Sequence, residues 1–402
     1  MKCILAPFNP KSVADYFDSD IKLPNINLTA SSINNIVKGL LDSGEQLLVV
    51  TTSMEDKADA IFTIPNLTIV VVGCYKPFIL YRLFPDLQSI AKKIYNAILP
   101  YEKEVSIFHA HWCYEFALAA LKFKNETPIF CTVRDWAPVI YRSILPFHSI
   151  YSFISKFYWR YKIRIMNEVL SNSRISFIAN SEYTYNLLLE YGIQSYIIHN
   201  SISEDWILDT LPCIDDRTNI VSIAGSIDDN RKNIKSLISA FEIINKSYPN
   251  IRLVLIGDYH QDKGIYKIVK ERNLLSSVIF TGRLERKDVL IQIDSSFCMI
   301  HPAMEETFGN ILIEAMGRGV FCIGGVSSGA VPFVLGKGKF GITCDIQSPD
   351  AIVEAFVTLR NDTSQFETMR NNALYNVRGL YSNDIITNKH LKLYQQSLLH
   401  TL

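Results

Sequence analysis

The stretch Phe297-Cys298-Met299-Ile300-His301-Pro302-Ala303-Met304-Glu305-Glu306-Thr307-Phe308-Gly309-Asn310-Ile311-Leu312-Ile313-Glu314-Ala315-Met316 decides how this chain is read. It opens on a short continuous apolar run, which suits a strand buried on both faces. A polar turn with two adjacent carboxylates follows. Gly309 then introduces Ile311, Leu312, Ile313, Ala315 and Met316, a buried helix starting near Gly309. Strand, loop and helix in that order form the repeating unit of a parallel α/β sheet. Exposed amides at the helix N-terminus, with its dipole, suit a diphosphate. Gly309 lets the backbone approach a ligand closely. Glu306 sits just before the helix and Glu314 in its second turn, so both carboxylates can face one cleft. Carboxylates accept hydrogen bonds from vicinal hydroxyls. The alternative is a solvated Glu314, with Glu306 serving only as a partner of the helix dipole.

The same alternation extends to both sides. Toward the C-terminal half, strands are expected at Asn219–Ala224, ending at Gly225, and at Arg252–Ile256 and Ser277–Phe280. A helix with Ile234, Leu237, Ile238, Phe241 and Ile244 on one face lies among them. Earlier in the chain, Gln46–Thr52, Leu67–Val72, Val105–Phe108, Ile129–Thr132 and Ile175–Ile178 read as strands, and Ser31–Leu41 as a helix. The series restarts near residue 200, with a boundary expected at 200–216. Two α/β domains follow, and a cleft between two such sheets is a common ligand site.

Length and composition agree with this. The 402 residues are 48% hydrophobic, and 40 Lys+Arg balance 40 Asp+Glu. That length suits about two domains, and the balance gives no global basic field to recruit nucleic acid. The 8 cysteines are scattered without a C-x-x-C pair, which reads as reduced core thiols and a cytoplasmic compartment. The N-terminal apolar run is cut by Pro7 and is too short for a signal peptide. The most apolar window, Ile61–Tyr81, contains Pro65, Asn66, Lys76 and Pro77, so no spanning helix is expected there.

Four motifs in order carry a family resemblance. They are Gly225-Ser226-Ile227 with Arg231-Lys232-Asn233, Phe280-Thr281-Gly282-Arg283-Leu284, the Glu306…Glu314 pair, and Gly324-Gly325-Val326-Ser327-Ser328-Gly329-Ala330-Val331-Pro332. Together they resemble retaining glycosyltransferase family 4, with its E-x7-E signature, in the form found in polysaccharide, O-antigen and capsule assembly. The resemblance implies a GT-B fold: two Rossmann-like doubly wound α/β domains facing a central cleft. Residues 1–202, rejoined by a C-terminal helix near 383–402, would bind the acceptor. Residues 203–382 would bind the nucleotide-sugar donor. Glu306 would bind hydroxyls of the donor sugar and Glu314 the ribose. Amides at Phe308, Gly309, Asn310 and Ile311 would hold the diphosphate. Gly225 would sit at the donor-phosphate strand, and Gly282, Arg283 and Leu284 at the base-contacting turn. Lys232 would neutralise the diphosphate as the departing nucleotide gains charge. Its alternative is a surface lysine at a helix start, where a cation is mildly unfavourable. Ser226 stands where the family usually has an arginine, so Arg231 is the candidate second cation.

In the first half, His109-Ala110-His111-Trp112 follows the strand Val105–Phe108 and resembles the family's H-x-H segment. His111 would then lie near the transferred sugar; the alternative is a packed or capping histidine. Arg134 and Asp135 end the next strand and would touch donor or acceptor, or pair with each other. Asn180 matches a nucleotide-facing strand end. Asn27–Ser32 replaces the Gly-Gly loop of many relatives.

The implied activity is transfer of a hexosyl or N-acetylhexosaminyl group from a nucleoside diphosphate sugar to a glycan or lipid-linked oligosaccharide, with no metal or other cofactor. The competing readings are a nucleotide-sugar epimerase and a non-catalytic nucleotide-sugar-binding subunit of a membrane assembly. Gly336–Gly341 fits G-x-G-x-x-G but is not followed by a helical pattern. Asp18-Ser19-Asp20 lies in a polar stretch and reads as a loop. Residues 137–167 hold no acid but Arg142, Lys156, Arg160, Lys162 and Arg164, interleaved with aromatics. Such a segment suits the anionic inner face of a cell membrane or an acceptor carrying a lipid pyrophosphate, or is an ordinary helix with a solvated basic face.

Overall fold

The computed structural model describes residues 1–26, 31–76, 86–144, 150–214 and 216–399. The chain divides into two units, Met1–Ser201 with Asn383–Leu402, and Ile202–Ser382.

The first unit is built on an eight-stranded sheet: β1 (Lys2–Leu5), β2 (Leu47–Ser53), β3 (Ala60–Ile64), β4 (Leu67–Gly73), β5 (Ile107–His111), β6 (Ile129–Val133), β7 (Ile175–Ala179) and β8 (Ser195–Ile197). Their order is β3-β4-β2-β1-β5-β6-β7-β8. All neighbours run parallel except the β3–β4 hairpin. Alternation along each strand feeds two cores. Cys3, Leu5, Leu48 and Val50 face one, with the helices Leu87–Ile98, Glu115–Leu121 and Ile150–Leu170. Ile4, Leu47 and Val49 face the other, with the helices Ser31–Asp42 and Asn383–Leu399. Those last two helices touch closely: a Cβ on Gly39 would stand 2.0 Å from Thr387 Oγ1.

The second unit carries β9 (Asn219–Ser226), β10 (Arg252–Asp258), β11 (Val278–Gly282), β12 (Ser296–His301), β13 (Phe321–Gly325) and β14 (Ile342–Cys344). The order is β11-β10-β9-β12-β13-β14, all parallel. The chain winds outward from β9 through β10 to β11, then returns to the other side of β9 at β12. That reversal leaves a crevice at the carboxyl ends of β9 and β12, where ligands bind in open sheets of this type. In the first unit the same reversal falls between β1 and β5.

Several strands escape the sequence reading. β1 is four residues long, and β8 three, too short to show a period. β3 is a half-exposed edge strand with Ile61 pointing to solvent. β5 starts later than expected and includes His109 and His111 rather than ending before them. Likewise β9 runs through Gly225 to Ser226. Cys213 is exposed, unlike the buried thiols expected of a core cysteine. Residues 27–30, four of the six in place of the Gly-Gly loop, lie outside the described residues, as do 77–81 of the apolar window and 145–149 of the basic segment. The G-x-G-x-x-G segment leads into β14, not a helix. Among the described residues no helix is long and apolar enough to cross a membrane.

Candidate active site

Three loops at the carboxyl ends of β9, β12 and β13 meet around Glu306. After β9 the chain turns through Asp229, whose carboxylate accepts from the Arg231 amide at 2.9 Å. A short 3₁₀ turn, Asn230–Lys232, then places Asn233 in the left-handed region before the helix Ile234–Ser247. After β12, the loop carrying Glu306 is pinned on both sides by main-chain bonds. Met304 N donates to Arg231 O at 2.8 Å, and Ala330 N donates to Glu306 O at 2.8 Å.

These bonds set the side chains. Lys232 Nζ lies 2.5 Å from Glu306 Oε1, and His301 Nε2 lies 3.3 Å from the same oxygen. Burial favours a protonated Glu306. Lys232 and His301 outweigh it and hold the carboxyl far below the usual carboxylate range. Glu306 is therefore a permanent anion, partly open to solvent at 20% side-chain exposure. His301, buried, is the last residue of β12, one residue beyond the apolar run that marks the strand in the sequence. Its part here depends on the loop folding back five residues later, which no local pattern announces.

Arg231 is turned the other way. Its Nη2 lies 2.6 Å and its Nε 3.2 Å from the Asp229 carboxylate. Burial lowers the pKa of Arg231, but Asp229 raises it further. The second cation is thus clamped by an aspartate that the sequence reading passed over.

Gly309 has φ +91°, a conformation that only glycine adopts without strain. It starts the helix Asn310–Gly317, whose first-turn amides point out of the helix end. Phe308 anchors the turn, buried with its ring edge-on to Tyr381 at 5.6 Å. Leu312, Ile313 and Met316 hold the helix to the sheet. Glu314 is half-buried on this helix. Burial pushes its carboxyl up to about 7, against the pull of Arg286. Arg286 lies over the Trp206 ring at 4.3 Å. Neither Arg286 nor Trp206 was singled out from sequence.

Gly225 is different in kind. It is exposed, its φ is not positive, and a Cβ there would meet nothing within 4 Å among the described residues. Neither backbone nor packing requires glycine. Gly282 has φ +71° and ends β11. Arg283 pairs with Asp258 at 2.6 Å in the open, and Leu284 packs on the apolar cluster around Trp206.

In the first unit, His111 is the last residue of β5 and fully buried. Arg134 Nε donates to His111 Nδ1 at 3.0 Å. Arginine is donor-only, so the neutral ring carries its proton on Nε2. That Nε2–H is buried and has no hydrogen-bond partner among the described residues. Burial, His109 and Arg134 all keep the ring neutral. Arg134 is itself fixed, donating to Ser32 Oγ at 2.8 Å and Asn200 Oδ1 at 2.6 Å. Asp135 accepts from Tyr114 Oη at 2.9 Å and faces Lys162 at 4.0 Å. Asn180 Oδ1 accepts from Thr184 Oγ1 at 2.8 Å, beside the Ser181 cap of the helix Glu182–Glu190. Among the described residues no group of three or more His, Cys, Asp or Glu is placed to hold a metal.

Two family models match the chain. The one described as Glycosyl transferases group 1 covers residues 213–375, and the one described as Glycosyltransferase Family 4 covers residues 29–206. The N-acetyl-alpha-D-glucosaminyl L-malate synthase of Bacillus anthracis is 21% identical over 282 residues, 62% of this chain and 72% of that protein. The capsular polysaccharide biosynthesis glycosyltransferase CapM of Staphylococcus aureus is 27% identical over 171 residues, 42% of this chain and 43% of that protein. Sucrose-phosphate synthase from Thermosynechococcus elongatus has a similar structure, with a TM-score of 0.76 at 18% identity over 98% of this chain and 99% of that one. HepE of Anabaena in complex with UDP gives a TM-score of 0.66 at 14% identity over 98% of this chain and 100% of that one. Such structural likeness identifies the GT-B architecture. Since one glycosyltransferase model falls on most of each unit of that architecture, the chain belongs to the family 4 glycosyltransferases of GT-B fold.

Proposed function

We propose that this glycosyltransferase moves a hexosyl or N-acetylhexosaminyl group from a nucleoside diphosphate sugar to a hydroxyl of a glycan or lipid-linked oligosaccharide, with retained anomeric configuration, in polysaccharide assembly in the cytoplasm. The observation that carries the reading is the Lys232–Glu306–His301 cluster beside the start of the helix Asn310–Gly317. A permanent carboxylate suits sugar hydroxyls. A cation and a helix N-terminus suit the phosphates. One relative is named an N-acetyl-alpha-D-glucosaminyl L-malate synthase and another a capsular polysaccharide biosynthesis glycosyltransferase, and the similar structure of HepE is in complex with UDP.

In this mechanism the diphosphate lies against the amides of Phe308–Ile311, with Lys232 at its side. The bond from the anomeric carbon to the phosphate oxygen breaks, and the electron pair leaves with the nucleoside diphosphate. Lys232 and the helix end stabilise that growing charge. The acceptor hydroxyl attacks from the same face and passes its proton to a departing phosphate oxygen. Glu306 serves as a hydroxyl acceptor, since its pairing with Lys232 and His301 makes it a poor nucleophile. Glu314 holds the ribose. His111 donates through Nε2–H to the transferred sugar. Gly225 leaves room for the donor at the end of β9, where neither a positive φ nor a close neighbour among the described residues requires glycine.

Saturation-transfer NMR against UDP-, GDP- and ADP-sugars tests the reading. Selective binding of one donor, weakened in Glu306→Ala and Lys232→Ala, is expected. No binding to any of them removes its support. Product made from the donor alone assigns an epimerase instead, and binding without turnover across acceptors assigns a non-catalytic subunit.

A further inference from the structure

The helix Ile150–Leu170 has two chemically different sides. Ile165, Met166, Val169 and Leu170 lie in the core of the first unit. The other side carries Phe153, Phe157, Arg160 and Arg164, all exposed. Their spacing (i, i+4, i+7, i+11) sets them in one line, about 16 Å long at 1.5 Å per residue. Phe153 is 58% exposed and Phe157 54%, and they are the exposed phenylalanines among the described residues. The core does not account for them, because the helix already has an apolar side facing inward.

The charges along this line are of one sign. From Ala137 to Asn167 the sequence has no acidic residue. Lys162 is drawn inward, over the Tyr114 ring at 3.6 Å. Lys156 leans over Tyr141 at 5.4 Å. Arg160 and Arg164 remain as outward cations, and no ion pair among the described residues neutralises them.

We propose that this face docks on an anionic lipid bilayer. The phenylalanines enter the boundary between headgroups and acyl chains, and the arginines meet lipid phosphates. Charge complementarity selects this occupant. A second copy of the face would bring four arginines together against one carboxylate per copy, Glu168, which lies a turn beyond Arg164 and already accepts from Gln88. An anionic bilayer offers phosphate and an apolar layer in the same order as the helix presents its cations and rings. The docking does not depend on the donor chemistry proposed above.

Co-sedimentation of the full chain with vesicles decides the matter. One set is phosphatidylcholine alone, and the other is phosphatidylcholine mixed with phosphatidylglycerol. Binding to the mixed vesicles is expected to be salt-sensitive and to exceed binding to the neutral ones. Arg160→Gln with Arg164→Gln should weaken it by about thirtyfold. Phe153→Ser with Phe157→Ser should weaken it by about tenfold or more. Ile243→Ser with Lys246→Gln, a neighbouring apolar and basic pair exposed on the helix Ile234–Ser247, should leave it unchanged. Circular dichroism melts check that each variant folds. If the phenylalanine pair does not fold, the arginine pair and the salt dependence decide. Equal binding to both vesicles, no binding, or binding that survives loss of the arginines overturns the proposal. So does self-association lost in the phenylalanine variant without vesicle binding, which gives the face to a second copy. Loss of nucleotide-sugar binding with vesicle binding intact would sink the donor reading alone.

Discussion

Burial and pairing pull in opposite directions at Glu306, and the Lys232 ammonium at 2.5 Å settles the contest in favour of the anion. Replacing Lys232 by Met should cut turnover on the order of 10²–10³-fold, the usual effect of removing one donor to a developing oxyanion. Steady-state kinetics with the cognate donor would check this; a loss under threefold would remove Lys232 from the mechanism. Glu314 predicts a pH dependence. Its carboxyl, raised to about 7 by burial, is largely neutral at pH 6 and largely ionised at pH 8. A ribose that donates to the carboxylate therefore binds more tightly as pH rises, by up to about tenfold over that interval. Glu314→Gln should flatten the profile in calorimetric titrations. At His111 the prediction is a tautomer. Nitrogen-15 shifts should report Nε2–H and no titration from pH 5 to 8, and Arg134→Met should release the tautomer while burial and His109 still keep the ring neutral. These residues were legible in the sequence as types in a familiar order. Their contacts were not, since Lys232 and Glu306 stand 74 residues apart and meet only when two strands lie side by side.

At the scale of elements, continuous apolar runs marked the central strands because a parallel sheet is covered on both faces. β1, β8 and β14 were missed as too short and β3 as half exposed at an edge, while β13 was read only through the glycine loop that ends it. Glycines separate structural demand from ligand demand. Gly39→Val should destabilise the first unit, because even a Cβ would overlap Thr387 Oγ1; a loss of about 1–3 kcal/mol in a denaturant melt is expected for such overpacking. Gly225→Val has no such clash and should leave the melt unchanged. If a donor lies against the end of β9, the same change should weaken donor binding at least tenfold. Unchanged binding would mean that this strand end is not part of the donor site.

For the whole molecule, the two sheets share one plan, with a reversal of strand order beside a central strand in each. The repeat of strand and helix made that plan legible. That the helix Asn383–Leu399 is part of the first unit follows from the family resemblance and not from the repeat, because its apolar residues look like those of any helix. Ile386, Leu393 and Tyr394 are buried there, and Tyr394 Oη meets His109 Nδ1 at 2.6 Å. Ending the chain at Ser382 would uncover three core side chains, worth about 5–9 kcal/mol together, a loss comparable to the whole stability of a typical domain. Hydrogen exchange should then show β1, β2 and β5 unprotected.

The same helix fixes an order of events during synthesis. It leaves the ribosome after every residue of the second unit, Ile202–Ser382. At typical elongation rates that interval lasts roughly 10–40 s. For that time the first unit to be made waits with one face of its sheet only partly covered, by the helix Ser31–Asp42, while the second has all its strands in hand. The N-terminal half of this protein is therefore the later one to be finished, and the side of the helix Ser31–Asp42 around Asn35 and Gly39, where Asn383 and Thr387 pack, is the surface that a nascent-chain chaperone would have to shield.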